Sequence, residues 1–404
     1  AYCESVYEPD SMHSLLNIFE AALKDIGEHC QQSPLDHRHT ASDFALSGIN
    51  EDQLGQIEDL YPDLEDVLPL TALQAGLAFE TQALSAGERD PYHVQFVVTL
   101  AQDLDVSVFE AAWFKFLDRH AILRYALVPA HIQSGVAVVR STREAADYKV
   151  VELEGSAEDR IVELQALDRA DRFDLERGRL IRCRVVALGD GRCAVLIANH
   201  HMLLDGWSMP VMMGELSELY AAEIEGRKSG LGIAFDWSGH LRWLADQDRS
   251  VGEAYWRDYL KDLTGPSRLD LYTEKPGSGI GEVLVNLSEE QTERIERYAK
   301  AHGLTQSTIV QGVYALLLGR MSRLEEVIVG AVRSGRSSEL PGIDRAIGMF
   351  IETTPVRYVL DGPTNVGFWL QQQQYKQGGH DQYSYIGLAN VQNLSDSAGE
   401  ALFD

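Results

Sequence analysis

Apolar positions along the chain change period several times, and each change marks an element. In Ser11–His29, Leu15, Ile18, Phe19, Ala22, Leu23 and Ile26 share one stripe, which predicts an amphipathic helix. Glu51–Leu60 predicts a short helix and Val106–His120 a longer amphipathic one. Short apolar runs predict strands at Val94–Leu100, Tyr148–Leu153, Leu180–Leu188 and Cys193–Ala198, the last entered through the turn Gly189-Asp190-Gly191. Pro210 then opens a helix over Val211–Glu225, with Ser208 as its cap. Further on, the pattern predicts helices at His240–Gln247, Glu253–Leu260, Ser288–His302, Thr305–Met321 and Val366–Lys376. Strands are predicted at Glu282–Leu287, Glu326–Val332 and Ile351–Leu360. Helices and strands mix without regular βαβ repeats, so the fold class is α/β in the layered α+β sense, with a mixed sheet.

Two polar stretches divide this pattern. Gln31–Thr40, with Ala41–Leu46 after it, reads as a linker, and the main domain begins near Val67-Leu68-Pro69-Leu70. Gly226–Phe235, rich in small and polar residues, reads as the join between two lobes. The organisation is therefore a helical tail (1–35), a linker (36–66), a first lobe (67–232) and a second lobe (233–404), which suits a length of 404 residues. The balance of 35 basic against 62 acidic side chains gives a net charge of −27, which argues against nucleic acid or an anionic membrane as partner. With no signal peptide and no apolar run of membrane-spanning length, the expected compartment is the cytoplasm. The four cysteines, Cys3, Cys30, Cys183 and Cys193, lack metal-ligand spacing. Cys183 and Cys193 flank the predicted hairpin turn out of register, so free thiols are expected.

The densest chemistry is Asn199-His200-His201-Met202-Leu203-Leu204-Asp205-Gly206-Trp207-Ser208, at the end of an apolar strand. Adjacent side chains on a strand point to opposite faces, so one imidazole can face a cleft while the other packs inward. The pattern suits proton handling during attack of an amine or hydroxyl on a thioester, because imidazole titrates in the useful range. His201 is expected to face the cleft and His200 to be its packed neighbour. The Gly206 N–H is a candidate oxyanion donor, since glycine leaves the approach open. Asp205 is expected to pin the loop through an ion pair, with Arg336 as candidate partner.

Rival readings are weaker. A metal site of His200, His201 and Asp205 suffers from the opposed faces of the two imidazoles and the lack of another ligand cluster. Gly206-Trp207-Ser208-Met209-Pro210 lacks the second glycine of a hydrolase elbow. Gly277-Ser278-Gly279-Ile280-Gly281 leads into a predicted strand, where a phosphate cradle needs a helix.

Taken with other stretches in order, the His-His block resembles a condensation domain of nonribosomal peptide synthetases. Leu70–Leu77 resembles that family's first motif, Arg119–Arg124 its second and the His-His block its third. Ile347–Arg357 resembles its fifth, preceded by Ser334-Gly335-Arg336. The resemblance implies two chloramphenicol-acetyltransferase-like lobes forming a V, with a central tunnel and the His-His loop at the junction. It implies amide formation between a donor thioester on an upstream peptidyl carrier and an aminoacyl acceptor on a downstream one, with adenylation and epimerization domains adjacent. No cofactor or metal of the domain's own is implied: both substrates arrive on 4'-phosphopantetheine. His201, His200, Asp205 and Gly206 would be the catalytic set, and Trp207, Ser208, Arg336 and Glu352 would line or support the tunnel.

The segment from Met12 to Phe44 resembles the tail of an epimerization domain and its linker, which implies a donor ending in a D-residue. Three departures stand out. Glu352 occupies a position where the family usually has Asn, the sixth motif is only loosely matched around Gly379–Tyr383, and the chain stops at Asp404 where the family continues. An epimerization domain and a catalytically inactive carrier-docking module are the alternative readings. A stand-alone acyltransferase is a third, whereas a heterocyclization domain would carry Asp in place of the first His.

Overall fold

The computed structural model describes residues 6–32, 39–85, 87–101, 104–189, 191–269, 283–337, 339–360, 362–395 and 400–403. The glycine-rich stretch 277–281, Glu282, Asp190 and Cys3 lie outside them. In chain order the first half contains α1 (Pro9–Gln32), α2 (Glu51–Leu60), β1 (Leu64–Pro69), α3 (Ala72–Ala83), β2 (His93–Leu100), α4 (Val106–Arg119), β3 (Tyr125–Leu127) and β4 (Val136–Arg140). There follow α5 (Thr142–Ala145), β5 (Tyr148–Val151), α6 (Ala157–Ala170), β6 (Ile181–Ala187), β7 (Cys193–His200) and α7 (Ser208–Glu225). The second half contains α8 (Trp237–Ala245), α9 (Arg249–Tyr259), α10 (Glu289–His302), α11 (Gln306–Ser322), β8 (Glu326–Arg333), β9 (Glu352–Val359), α12 (Val366–His380) and α13 (Leu388–Asn393).

The site depends on the mixed sheet β2-β7-β6-β5, in which β5 and β6 run parallel and the other pairs antiparallel. β7 is buried along its whole length, which is why its sequence is a continuous apolar run without alternation. One face of the sheet meets α4 and α7. The other carries buried polar groups beneath α6, including His93, paired with Asp168 at 2.7 Å. A second sheet, β1-β4-β3, is antiparallel, and β8 pairs with β9 in the second half. The main core runs from this framework into Trp237, Leu241, Ile343, Ile347 and Phe350, so apolar packing joins the two halves. Residues 227–236 form the expected coil between them.

Three expectations need correction. Residues 41–61 are more than a linker: Phe44, Ile49, Leu54, Ile57 and Tyr61 are buried against Val67, Ala126, Val136 and Val138 of the second sheet. The gain from burying these scattered apolar side chains outweighs the polarity of the segment around them. Residues 283–287 are exposed and form no strand, since an extended apolar run needs a partner edge. Ser208 is the first residue of α7 and not its cap. The stripe of α1 is formed as expected, but Leu15, Ile18, Phe19, Leu23 and Ile26 are all exposed. Cys183 and Cys193 form no disulfide with each other, Cys183 standing opposite Ile197 and Cys193 opposite Ala187. No helix of the described residues is long and apolar enough to cross a membrane.

One buried hydrogen bond illustrates how the halves are joined. Trp237 Nε1 donates to the Tyr125 hydroxyl at 2.7 Å, and both residues are buried. Tyr125→Phe leaves that indole N–H without an acceptor and is expected to cost about 1–3 kcal/mol in denaturant unfolding.

Candidate functional site

β7 delivers His200 and His201 to a corner where the chain leaves the sheet. His93 of β2 lies opposite His200, and the His201 N–H donates to the Tyr92 carbonyl at 2.8 Å. β7 ends at His200, which is buried, and His201 just past it is half-buried.

The His200 ring is fully buried. Its Nδ1 accepts from the Met202 N–H at 3.3 Å, so Nε2 carries the proton and donates to Thr81 Oγ1 at 2.9 Å. Burial pushes its pKa down to about 4, against the opposing pull of the Asp90 carboxylate, whose Oδ2 stands 3.7 Å from Nε2. His200 is therefore a neutral, structural imidazole at physiological pH.

His201 is partly exposed. Its Nδ1 lies 2.9 Å from the Leu204 carbonyl, which can only accept, so Nδ1 carries the proton. In the neutral ring this leaves the Nε2 lone pair free to take a proton. Nothing stands within 4 Å of where a Cβ would sit on Gly206, so a reacting group can approach that backbone freely. Trp207 beside it is 62% exposed.

Asp205 faces the other way, into the junction with the second half. Its Oδ1 accepts from the Ser208 N–H at 2.9 Å and from Arg336 Nη2 at 2.9 Å. Its Oδ2 accepts from Arg336 Nη2 at 3.2 Å and from the Phe350 N–H at 3.1 Å. The Asp205 N–H donates to the Gly348 carbonyl at 3.1 Å, and the Gly348 N–H donates to Ser208 Oγ at 3.1 Å. The expected Asp205–Arg336 pair is thus present, both side chains being nearly fully buried. Arg336 also donates to the Ile343 and Ala346 carbonyls, at 2.7 and 2.8 Å, and lies 4.4 Å above the Phe350 ring. Its loop turns at Gly335 with φ +61°, where a Cβ would come within 1.6 Å of the Phe350 carbonyl oxygen. Only glycine fits that turn.

Of the other resembling stretches, the first reaches the same loop and the second reaches the helix after it. Gln74 is fully buried and donates from Nε2 to the Met202 carbonyl at 2.9 Å. Arg119 Nε and His120 Nε2 both bond Glu215 of α7, at 3.1 and 2.8 Å. Glu352 is half-buried at the start of β9, opposite Arg333. Burial raises its carboxyl pKa to about 7, with a hydrogen bond from Ser384 opposing and the Asp381 charge adding to the rise. Sequence reasoning missed Thr81 and Asp90, and it gave Gly348 and Phe350 only as part of the Ile347–Arg357 stretch. Of these, Thr81 had a local signal: it follows Gln74 by two helical turns on the same face of α3. Among the described residues no group of three or more His, Cys, Asp or Glu is placed to hold a metal ion.

Both the ion pair and the buried imidazoles have measurable consequences. Arg336→Met leaves Asp205 as an uncompensated buried charge and is expected to cost about 3–5 kcal/mol in urea unfolding. Arg336→Lys should recover only part of this, because an ammonium cannot reproduce the guanidinium fork. The imidazoles act through pH. His200, His240 and His380 are all depressed by burial to about 4 from 6.5, with Arg336 adding to the effect at His240 and Arg333 at His380. Each binds a proton on unfolding below 6.5, so stability falls as pH drops from 6.5 towards 4. Glu352, raised from 4.5 to about 7, works in the opposite sense and adds stability as pH falls through 7. Glu352→Gln is therefore expected to raise the urea midpoint above pH 7 and to steepen its fall on acidification.

Comparisons with known proteins agree with this arrangement. Residues 64–404 match the Condensation domain family. A linear gramicidin synthase of Brevibacillus parabrevis is 35% identical over 411 residues, covering 100% of this chain and 8% of that protein. Bacitracin synthase 3 of Bacillus licheniformis is 30% identical over 411 residues, covering 99% of this chain and 6% of that protein. The chain thus spans less than a tenth of either relative. Among solved structures, the X-domain from teicoplanin biosynthesis superposes with a TM-score of 0.70 at 21% identity, covering 83% of this chain and 74% of that one. The first condensation domain of the calcium-dependent antibiotic synthetase, in complex with a substrate analogue, gives 0.64 at 20% identity, covering 83% and 79%. The fold is therefore the two-lobed, chloramphenicol-acetyltransferase-like one, and the chain belongs to the condensation-domain family of nonribosomal peptide synthetases, acyltransferase-type enzymes that form amide bonds.

Proposed function

We propose that this domain joins a peptidyl or aminoacyl thioester on an upstream carrier to the α-amine of an aminoacyl thioester on a downstream carrier, with His201 as the residue that handles the proton. The supporting observation is the His201 Nδ1–H bond to the Leu204 carbonyl, which leaves the Nε2 lone pair as the ring's only acceptor. The acceptor nitrogen attacks the donor carbonyl, a C–N bond forms and the C–S bond breaks. The proton lost by the amine passes through His201 Nε2 to the departing thiolate. The Gly206 backbone lies open for the developing oxyanion. His200, Asp205, Ser208 and Arg336 hold this geometry without touching the reacting atoms, and Trp207 and Glu352 border the substrate path.

Both substrates bring 4'-phosphopantetheine with their carriers, and the domain works in the cytoplasm between carrier, adenylation and epimerization neighbours of a longer synthetase. A D-configured residue at the donor's reacting end is part of this proposal. It rests on α1 and the segment after it, which precede the Condensation match yet lie within the alignment to the gramicidin synthase.

A single-turnover assay with two separately loaded carriers, read by intact-protein mass spectrometry, tests the proposal. Extended product on the acceptor carrier is expected, with His201→Ala slowing its formation by about 10²- to 10⁴-fold. A D-donor should outpace its L-counterpart. Equal rates discard the D-donor assignment. Racemisation of one loaded carrier without an acceptor indicates an epimerization domain, and carrier binding without any product indicates a docking module.

A further inference from the structure

The hydrogen bonds around His200 form a chain that also reaches His201. Thr81 Oγ1, which accepts from His200 Nε2, donates onward to Asp90 Oδ1 at 3.4 Å. The same Oδ1 accepts from the Tyr92 N–H at 2.9 Å, and the Tyr92 carbonyl in turn accepts from the His201 N–H at 2.8 Å. Asp90 thus fixes the ring of the first histidine through Thr81 and the backbone of the second through Tyr92. Thr81, Asp90 and His200 are all buried, at 4%, 3% and 0% exposure, where a lost partner is not replaced by water.

Helix α3 supplies the other fixed points. Its buried face is Gln74, Ala78 and Thr81, so a single rigid helix holds the Met202 carbonyl at one end and the His200 ring at the other. The loop that continues past Met202 carries the Leu204 carbonyl, which sets the tautomer of His201. Tyr92 and Phe173 pack around His200, with ring centroids 6.1 and 6.4 Å away, so its surroundings beyond Thr81 and Asp90 are largely aromatic.

We infer that Thr81 and Asp90 are positioning residues for the reaction: the Asp90–Thr81–His200 chain holds the His201 Nε2 lone pair at its place in the cleft. The inference rests on the proposed proton-handling role of His201. Neither residue touches substrate, so their loss acts on the rate of bond formation and leaves the binding of loaded carriers intact. Displacement of a reacting group by about 1 Å is enough to cost on the order of 10²-fold in rate.

The test uses the two-carrier single-turnover assay at several carrier concentrations, with thermal unfolding alongside. Thr81→Val keeps the shape and removes the hydroxyl. It is expected to lower the maximal rate roughly 10- to 100-fold, with half-saturating carrier concentrations within about twofold of wild type. Thr81→Ser, which keeps the hydroxyl, should restore most of the rate. Asp90→Ala should act as Thr81→Val does, and the double variant should be no slower than the slower single one, because the two side chains form one chain. Nitrogen-labelled histidine spectra supply a readout that needs no turnover: Thr81→Val is expected to shift the His201 ring signals away from the single Nδ1–H form. A Thr81→Val rate equal to wild type, fully additive singles, or unchanged His201 ring signals each overturn the inference. If the wild type itself gives no product, the functional reading fails, and the ring signals still decide the positioning claim.

Discussion

The junction of the two halves depends on a carboxylate and a guanidinium removed from water. Taking both ions out of solvent costs several kcal/mol each, and only close geometry with every remaining lone pair and proton bonded can offset it. Asp205 meets that demand with backbone and hydroxyl donors as well as Arg336, whereas Arg336 bonds two carbonyls through Nη1 and packs on the face of Phe350 while its buried Nε–H has no hydrogen-bond partner among the described residues. These partners come from both halves of the chain, the Asp205 to Arg336 separation being 131 residues. Each half therefore supplies part of the solvation shell of the other. The direction of the His-His loop follows from this, since Asp205 cannot move without stranding a buried charge.

Around that pair, the stretches that carry the family resemblance are mostly scaffolding. Gln74 holds a carbonyl of the loop, Arg119 and His120 hold the helix after it, and Gly348 and Phe350 hold Asp205 through their backbone. Their separation in sequence conceals a common effect, the immobilisation of the short loop that follows β7 and of the helix after it. An acyl transfer between two substrates that arrive already activated needs little else from the protein beyond placement and a route for one proton.

Much of this was legible in the sequence where one physical signal dominated. The continuous apolar run of β7 and the amphipathic period of α4 marked their elements within a few positions, as did the pattern of the helices expected from Ser288 and Thr305, which the structure shows to be their N-caps. The burial of His200 agrees with the inward-packed neighbour that strand alternation predicts. What was hidden is long-range. The place of Thr81 on the Gln74 face of α3 has a local signal, but its partner is a ring 119 residues away, which local spacing does not identify. The segment with Phe44, Ile49, Leu54, Ile57 and Tyr61 crosses a 3-10 turn, a coil and a short helix, so its apolar residues share no period despite their common core. Residues 283–287 show the converse, since local strand propensity has no effect without an edge to pair with.

The neighbouring imidazoles of β7 make the site a matter of odd and even. His200 shares its parity with Ala198 and Leu196, all three being laddered to β2, and His201 follows directly past the end of the strand. A single inserted or deleted residue between Cys193 and His200 would bring the half-buried ring to the place of the sealed one. Only changes in pairs preserve the assignment. The strand thus acts as a two-state address, and in the history of such a chain length changes in β7 would be restricted to even steps while the loops beside it remained free to vary.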